Sequence, residues 1–345
     1  MEIGIDSFAA VIPDATGTIM SPVQRMAHLL EEAQAADRAG LDVFGVGEHH
    51  RPEFLDAAPA VILSAMAART ASIRLTSAVT VLSAADPVRV FQDFATIDLI
   101  AAGRAELVVG RGSFGEAYPL YGMRPADYDA LFAEKLDLLL KLRETTHVQW
   151  SGRFRPTLTG QGVFPRPAQA RLPIWVGVGG TPQSFVRAGA LGLPLMVAII
   201  GGEFRRFRPL IDLYREAGRQ AGHPPEALSV GVHAIGFVAD TFEAAADAFF
   251  PGWSYMFTTI GGERGWPPAT RAQFEAMCGP VGAFLIGDPE TVARKALYVH
   301  EVLGGVSRLT FQMSSAVLEH EAMIRSIELL GQKVAPSVRA ALSAV

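Results

Sequence analysis

Cysteine is nearly absent: Cys278 is the only one in 345 residues. A lone thiol forms neither an intrachain disulfide nor a thiolate metal cluster, so the fold needs no oxidising compartment and no structural zinc. Long apolar runs are missing as well. Charge-free stretches such as residues 188–202 stop short of the roughly 18 residues that a membrane span requires. At the N-terminus, MEIGIDSF carries acidic Glu2 where a signal peptide has its basic region, and no cleavable apolar segment follows, so a cytoplasmic protein is expected. Nor is there an excess of positive charge. The 35 acidic residues outnumber 30 basic ones, 26 of them arginine and all scattered, which leaves no electrostatic footprint for nucleic acid.

With a 50% hydrophobic fraction and 19% charged residues, the chain has the composition of a globular protein rather than a disordered one. Strand-like segments at 2–8, 42–46, 73–81, 105–109, 174–178, 195–199, 228–238 and 308–313 alternate with helical ones at 21–39, 58–70, 87–100, 127–143, 181–190, 204–222, 243–249 and 289–303. Ser21-Pro22, an N-cap followed by proline, opens the first helix and Gly40 closes it. Such alternation implies a parallel sheet covered by helices, because parallel strands need crossovers long enough to hold one. Eight strands fit one (β/α)8 barrel, a single domain over residues 1–345, and no linker divides it. A two-domain doubly wound sheet is the alternative, since alternation alone does not separate an open sheet from a closed one. Two insertions are expected. After the fourth strand and its helix, residues 145–172 read as a hairpin and loop; after the seventh strand, residues 251–287 read as an irregular stretch with one short helix. A loop of that length inside a compact domain is usually functional.

The site of a β/α barrel lies at the C-terminal ends of its strands. Three such ends carry chemistry: Glu48-His49-His50, the Gly110-Arg111-Gly112 turn, and Val178-Gly179-Gly180-Thr181 leading to Ser184. The third presents free amides and hydroxyls at a helix N-terminus, which suits a phosphate, and Arg111 is the cation to grip it. The same glycines read equally well as a tight turn capped by Thr181. Adjacent His49 and His50 point to opposite sides of an extended chain, so only one reaches the barrel axis. They do not chelate one metal, and most other histidines fall on helices or loops, so no metal is expected; His233, inside the seventh strand, is the exception.

The runs LEEAQAADRAGLDVFGVGEHH, LTSAVTVLSAADPVRVFQDFATIDLIAAGRAELVVGRGSFGEAYPLYG and LPIWVGVGGTPQSFVRAGALGLPLMVAII, with the late GDPE, together resemble the bacterial luciferase-like, flavin-dependent monooxygenases. The resemblance covers residues 1–331, and it implies FMN, delivered reduced by a separate NAD(P)H:flavin reductase, together with O2, an apolar small-molecule substrate and a homodimer built on the helices between residues 58 and 100. It places His49 beside the reactive edge of the flavin and Arg111, Val178, Gly179, Gly180, Thr181 and Ser184 around the phosphate. It also puts Ser77, Ala78 and Val79 under the ring, with a non-proline cis peptide expected at Ser77-Ala78.

Phe8, Phe114, Tyr118, Met196, His233 and Met313, with Tyr121 and the stretch from Trp253 to Trp266, are expected to make the dry substrate pocket. Departures from luciferase itself, including Gly110 for a cysteine, Asp86 for a histidine and Ile199 for an aromatic flavin contact, argue against light emission. Two alternatives stay open: a deazaflavin F420-dependent dehydrogenase on the same fold, and a flavin-binding protein without turnover.

Overall fold

The computed structural model describes residues 1–14, 16–314 and 318–344. Eight parallel strands follow one another around a barrel: β1 (Glu2–Ser7), β2 (Val43–Val46), β3 (Arg74–Ser77, resumed at Thr80–Val81), β4 (Leu107–Gly110), β5 (Ile174–Val178), β6 (Leu195–Ala198), β7 (Val230–Val238) and β8 (Arg308–Gln312). Closure comes from β8, which pairs with β1 from Glu2↔Arg308 to Asp6↔Gln312 and with β7 from Gly231↔Arg308 to Ile235↔Gln312. The β3–β4 seam is held by the bridge Leu75↔Ala105 and the pairs Thr80↔Val109 and Val81↔Gly110. The barrel is therefore the one expected from the alternation, with helices outside.

Several crossover helices begin with the same device, a side-chain cap followed by proline. Ser21 Oγ accepts from the Gln24 amide at 3.2 Å to start Pro22–Arg38, Asp86 Oδ1 from Val88 at 2.9 Å to start Pro87–Ile100, and Asp288 Oδ1 from Glu290 and Thr291 at 3.0 Å to start Pro289–Val302. Each cap satisfies amides that the first turn leaves without partners, and proline at the next position has no amide to satisfy.

Inside the barrel, Val108, Trp175 and Met196 pack together with Val79 against them. Below them the N-terminal end is plugged by charge. Arg308, 1% exposed, donates to Glu106 at 2.6 and 3.1 Å and to Glu2 at 2.7 Å, and its guanidinium lies 4.4 Å over the Trp175 ring. A buried guanidinium is tolerable only when paired in this way.

Two expectations are corrected here. Residues 251–287 are not irregular: a continuous helix runs Phe242–Glu263, a second spans Arg271–Cys278, and a short strand, Leu285–Gly287, extends the sheet by pairing with β7 from Gly236↔Leu285 to Val238↔Gly287. Pro251 sits inside the first helix, where proline removes a hydrogen bond and usually ends the element. Burial of Gly252, Trp253, Met256 and Gly261 carries the helix past it.

The third strand is likewise not continuous over 73–81, because it breaks at residues 78–79. The expected hairpin is present, His147–Trp150 pairing antiparallel with Leu158–Gly162. Among the described residues no helix is long and apolar enough to cross a membrane.

Candidate active site

At the C-terminal ends of the strands lies a cavity of about 660 Å³. One end is built by β4 and β5. Beyond β5, a Cβ on Gly179 or Gly180 would meet nothing within 4 Å, so backbone lies open to whatever fills the space. The helix Pro182–Ala190 starts there, and the Thr181 side chain makes no capping bond to it. Arg111 reaches across from β4: its Nη2 donates to Ser184 Oγ at 3.1 Å, its other arm pairs with Asp129, and the guanidinium lies 4.5 Å over the Tyr128 ring. Open amides, an uncapped helix end and a stacked arginine are donors of the kind that suit an anion.

The floor follows β3. The cis peptide is Ala78-Val79, one bond later than the expected Ser77-Ala78. Val79 projects between two strand-end glycines, since a Cβ on Gly110 or Gly177 would lie 2.6 Å from a Val79 methyl. Ser77 Oγ donates to the Val108 carbonyl at 2.8 Å and accepts from the Val108 amide at 3.2 Å, tying β3 to β4. Glu48 Oε2 accepts from the Val81 amide at 2.8 Å just past the break.

Two histidines that line the same cavity share one arrangement. His49 Nδ1 lies 2.8 Å from Asp56 Oδ2, and Asp56 Oδ1 accepts from the His49 amide at 3.1 Å. His233 Nδ1 lies 2.6 Å from Asp6 Oδ2, an oxygen that also accepts from the Thr310 hydroxyl. Both carboxylates are buried, and burial pushes the Asp56 carboxyl above its ordinary value despite the pull of His49. A carboxylate is an acceptor only, so each Nδ1–H donates to its carboxylate and each Nε2 is left outside that bond. Phe8 packs against both rings, with centroids 4.5 Å from His49 and 5.9 Å from His233, the latter stacked at 18°.

Of the residues singled out in the sequence, Phe8, His49, Ser77, Ala78, Val79, Arg111, Phe114, Val178, Gly179, Gly180, Thr181, Met196 and His233 line the cavity. Ser184 stands behind it as the partner of Arg111. Tyr118 and Met313 are corrected: both are buried away from it, Tyr118 donating to the Arg111 carbonyl at 2.8 Å and Met313 belonging to the main core. Tyr121 is exposed and packs on His50, whose Nε2 faces Glu48 Oε1 at 3.3 Å. Ile199 is in the core, and Ala198 and Ile200 line the cavity in its place.

Sequence reasoning missed Asp6 and Asp56, and also the latch at the mouth. There Arg51 Nη2 donates to Glu263 at 2.6 Å and Nη1 to Glu116 at 2.6 Å, while Arg264 donates to the Ser113 carbonyl at 3.1 Å. The signal for the aspartates was the glycine pair before the EHH motif. A Cβ on Gly45 would collide with Asp6, and one on Gly47 would lie 2.6 Å from Asp56 Oδ2.

The sequence profile described as luciferase-like monooxygenase matches residues 1–304. The 4-hydroxyprotoasukamycin monooxygenase of Streptomyces nodosus subsp. asukaensis is 28% identical over 335 residues, 92% of this chain and 88% of its own. Two solved structures share the fold. The oxygenating constituent of 3,6-diketocamphane monooxygenase from Pseudomonas putida, in complex with FMN, superposes with a TM-score of 0.76 at 21% identity over 97% of this chain and 98% of its own. An F420-dependent secondary alcohol dehydrogenase, in complex with an F420-acetone adduct, gives 0.76 at 18% over 98% and 99%. A profile match over most of the chain, on a barrel with this rim, assigns the protein to the luciferase-like monooxygenase family.

Proposed function

We propose that this chain is the oxygenating component of a two-component flavin monooxygenase, binding reduced FMN made by a separate NAD(P)H:flavin reductase and acting with O2 on an apolar small organic substrate. The observation that carries the reading is that the His49–Asp56 pair and the Arg111 cradle meet on one cavity at the strand ends. Bound reduced FMN supplies the two electrons with which one atom of O2 enters the substrate and the other leaves as water.

Arg111, the amides after Gly179, and Thr181 hold the phosphate, with Ser184 fixing the Arg111 guanidinium. Phe8, Phe54, Phe114 and Trp253 exclude water, which strengthens every polar interaction within the cavity. His49 Nε2, held by Asp56, accepts or returns a proton at the cavity wall. Exposed Val61, Leu99 and Ile100 on the second and third helices support self-association of two copies through this face.

The test is reconstitution of flavin-free protein with FMN and, separately, F420, followed by turnover with a flavin reductase under isotopically labelled O2. FMN binding with label in the product is expected. Preferential F420 binding with unlabelled product replaces the reading by the dehydrogenase, and flavin binding without turnover by a binding protein.

A further inference from the structure

Two histidine–carboxylate pairs on one cavity are more than a single proton-handling role requires. His49 extends from β2 and takes its carboxylate from a nearby turn, seven residues along the chain. His233 is different. It lies inside β7, and its carboxylate comes from Asp6 on β1, with Thr310 on β8 donating to the same oxygen. Three strands thus converge to hold one imidazole, and all three residues are buried, His233 at 8% exposed.

A buried histidine needs one acceptor for its N–H; this one has a carboxylate that is itself held by a third strand, and its ring still lines the cavity. The cavity that His233 lines is also lined by Phe8, stacked on its ring, and by Ile235, Trp253 and Met256, so a molecule held beside it meets apolar and aromatic side chains. The other ionisable groups lining the cavity are Asp6, Glu48, His49, Arg111, Tyr128, Arg264 and Arg308, with Tyr128 lying under the Arg111 guanidinium. Arg111 is paired with Asp129 and Arg308 with Glu106 and Glu2; Glu48 holds the Val81 amide and His50, and Arg264 holds the Ser113 carbonyl.

We propose that His233 is a second acid–base residue, facing the substrate, and that the substrate presents to it a weakly acidic hydroxyl, phenolic or enolic, on an aromatic or otherwise apolar body. Asp6 and Thr310 are positioning residues. With Nδ1–H committed to Asp6, Nε2 is a lone-pair acceptor and calls for a donor. A carboxylic acid arrives already ionised and has no proton to give. An aliphatic alcohol is too weak an acid for imidazole, whereas a phenol or enol, ionising near about 10, falls within reach of a carboxylate-backed ring. In the step itself the O–H bond breaks, the proton forms N–H on Nε2, and the electron pair stays on the oxygen, so charge neither enters nor leaves the pair. The resulting oxyanion makes the carbons ortho and para to it in a phenolate, or the β-carbon in an enolate, electron-rich, which favours transfer of an oxygen atom to one of them.

The inference rests on the monooxygenase reading for the fate of that carbon, but the proton transfer is testable without any flavin. The probe is 4-nitrophenol, whose phenolate absorbs in the visible, added to flavin-free protein at a pH below its own ionisation point. We expect the wild-type protein to bind it and to raise its phenolate fraction by about tenfold, one unit of displacement. His233→Gln should abolish the phenolate band while still binding the neutral probe. His49→Gln should retain it, and Asp6→Asn should lower it.

FMN affinity, followed by flavin fluorescence on the same samples, is expected to be unchanged in His233→Gln and serves as the check that the barrel is folded. A probe that does not bind, or binds without ionising, or ionises equally in wild type and His233→Gln, overturns the proposal. Should Asp6→Asn fail to fold, the comparison of wild type with His233→Gln decides the matter. Ionisation without FMN binding upholds the role of His233 and removes the flavin reading; FMN binding without ionisation does the reverse.

Discussion

Asp56 Oδ2 lies 2.6 Å from the point a methyl group on Gly47 would occupy and 2.8 Å from His49 Nδ1. The glycine is therefore part of the histidine's support. Gly47→Ala should force Asp56 or Phe8, itself 2.5 Å from that point, out of place at a cost of about 1–3 kcal/mol, the range for overpacking a core. Thermal denaturation reads the loss, and oxygenation should fall further than stability alone explains. An alanine variant matching the wild type in both would show that this approach has slack.

Arg111→Ala should weaken FMN binding by about 1.5–3 kcal/mol, as for a hydrogen bond to a charged group, and riboflavin binding far less. Titration of both ligands distinguishes the cases. Equal losses would mean that the arginine acts through Tyr128 and Asp129 on the fold.

Removing the proton acceptor and reversing its tautomer are separate experiments. His49→Ala should leave FMN affinity intact and lower the rate of oxygenation by about 10² to 10⁴, the span for a positioned acid or base, while uncoupled peroxide rises. Asp56→Asn places an amide where the carboxylate stood; an amide that donates to Nδ1 leaves the hydrogen on Nε2, and the rate should fall although the imidazole remains. His50→Ala should do less, since that ring faces Glu48. Single-turnover product yields in the three variants measure each effect, and an unchanged yield in His49→Ala removes this residue from the chemistry.

Stability in acid should depend on Asp37. Burial alone raises its carboxyl, but the amides of Ala71, Ile73 and Ser72, bound at 2.7 to 2.9 Å, outweigh that and hold it below the ordinary value. A carboxylate depressed in the folded state stabilises the fold at pH values above its unfolded ionisation, and the contribution is lost as pH falls through the folded value. Asp37→Asn should thus be less stable than wild type at neutral pH, and the gap should close as denaturation is followed down in pH. A constant gap would assign the effect to shape rather than ionisation.

The barrel was legible because local signals agree along it: β-branched runs, then a cap and proline, then a helix, repeated. The place of Gly179, Gly180 and Thr181 on the cavity rim was legible for the same reason, since the three are consecutive at a strand end. Asp6 and Asp56 were not. Asp6 meets His233 across 227 residues of chain, and only closure of the barrel makes them neighbours. Pro251 misled in the opposite direction, because local chemistry says a helix ends there while the burial that sustains it comes from the barrel beneath. The cis bond was misplaced by one residue, a distinction set by how Val79 fits between Gly110 and Gly177, which no single segment contains.

The helix Phe242–Glu263 contributes Trp253, Met256, Phe257 and Ile260 to the cavity from one uninterrupted segment, and its far end is latched by Arg51 to Glu263 and by Arg264 to Ser113. The Arg111 cradle and both histidine supports come from other parts of the chain. The segment is in effect a cassette: changes within it re-shape one wall of the chamber while Arg111, the Gly179–Gly180 turn and the two histidine–carboxylate pairs, which lie elsewhere in the chain, keep their residues.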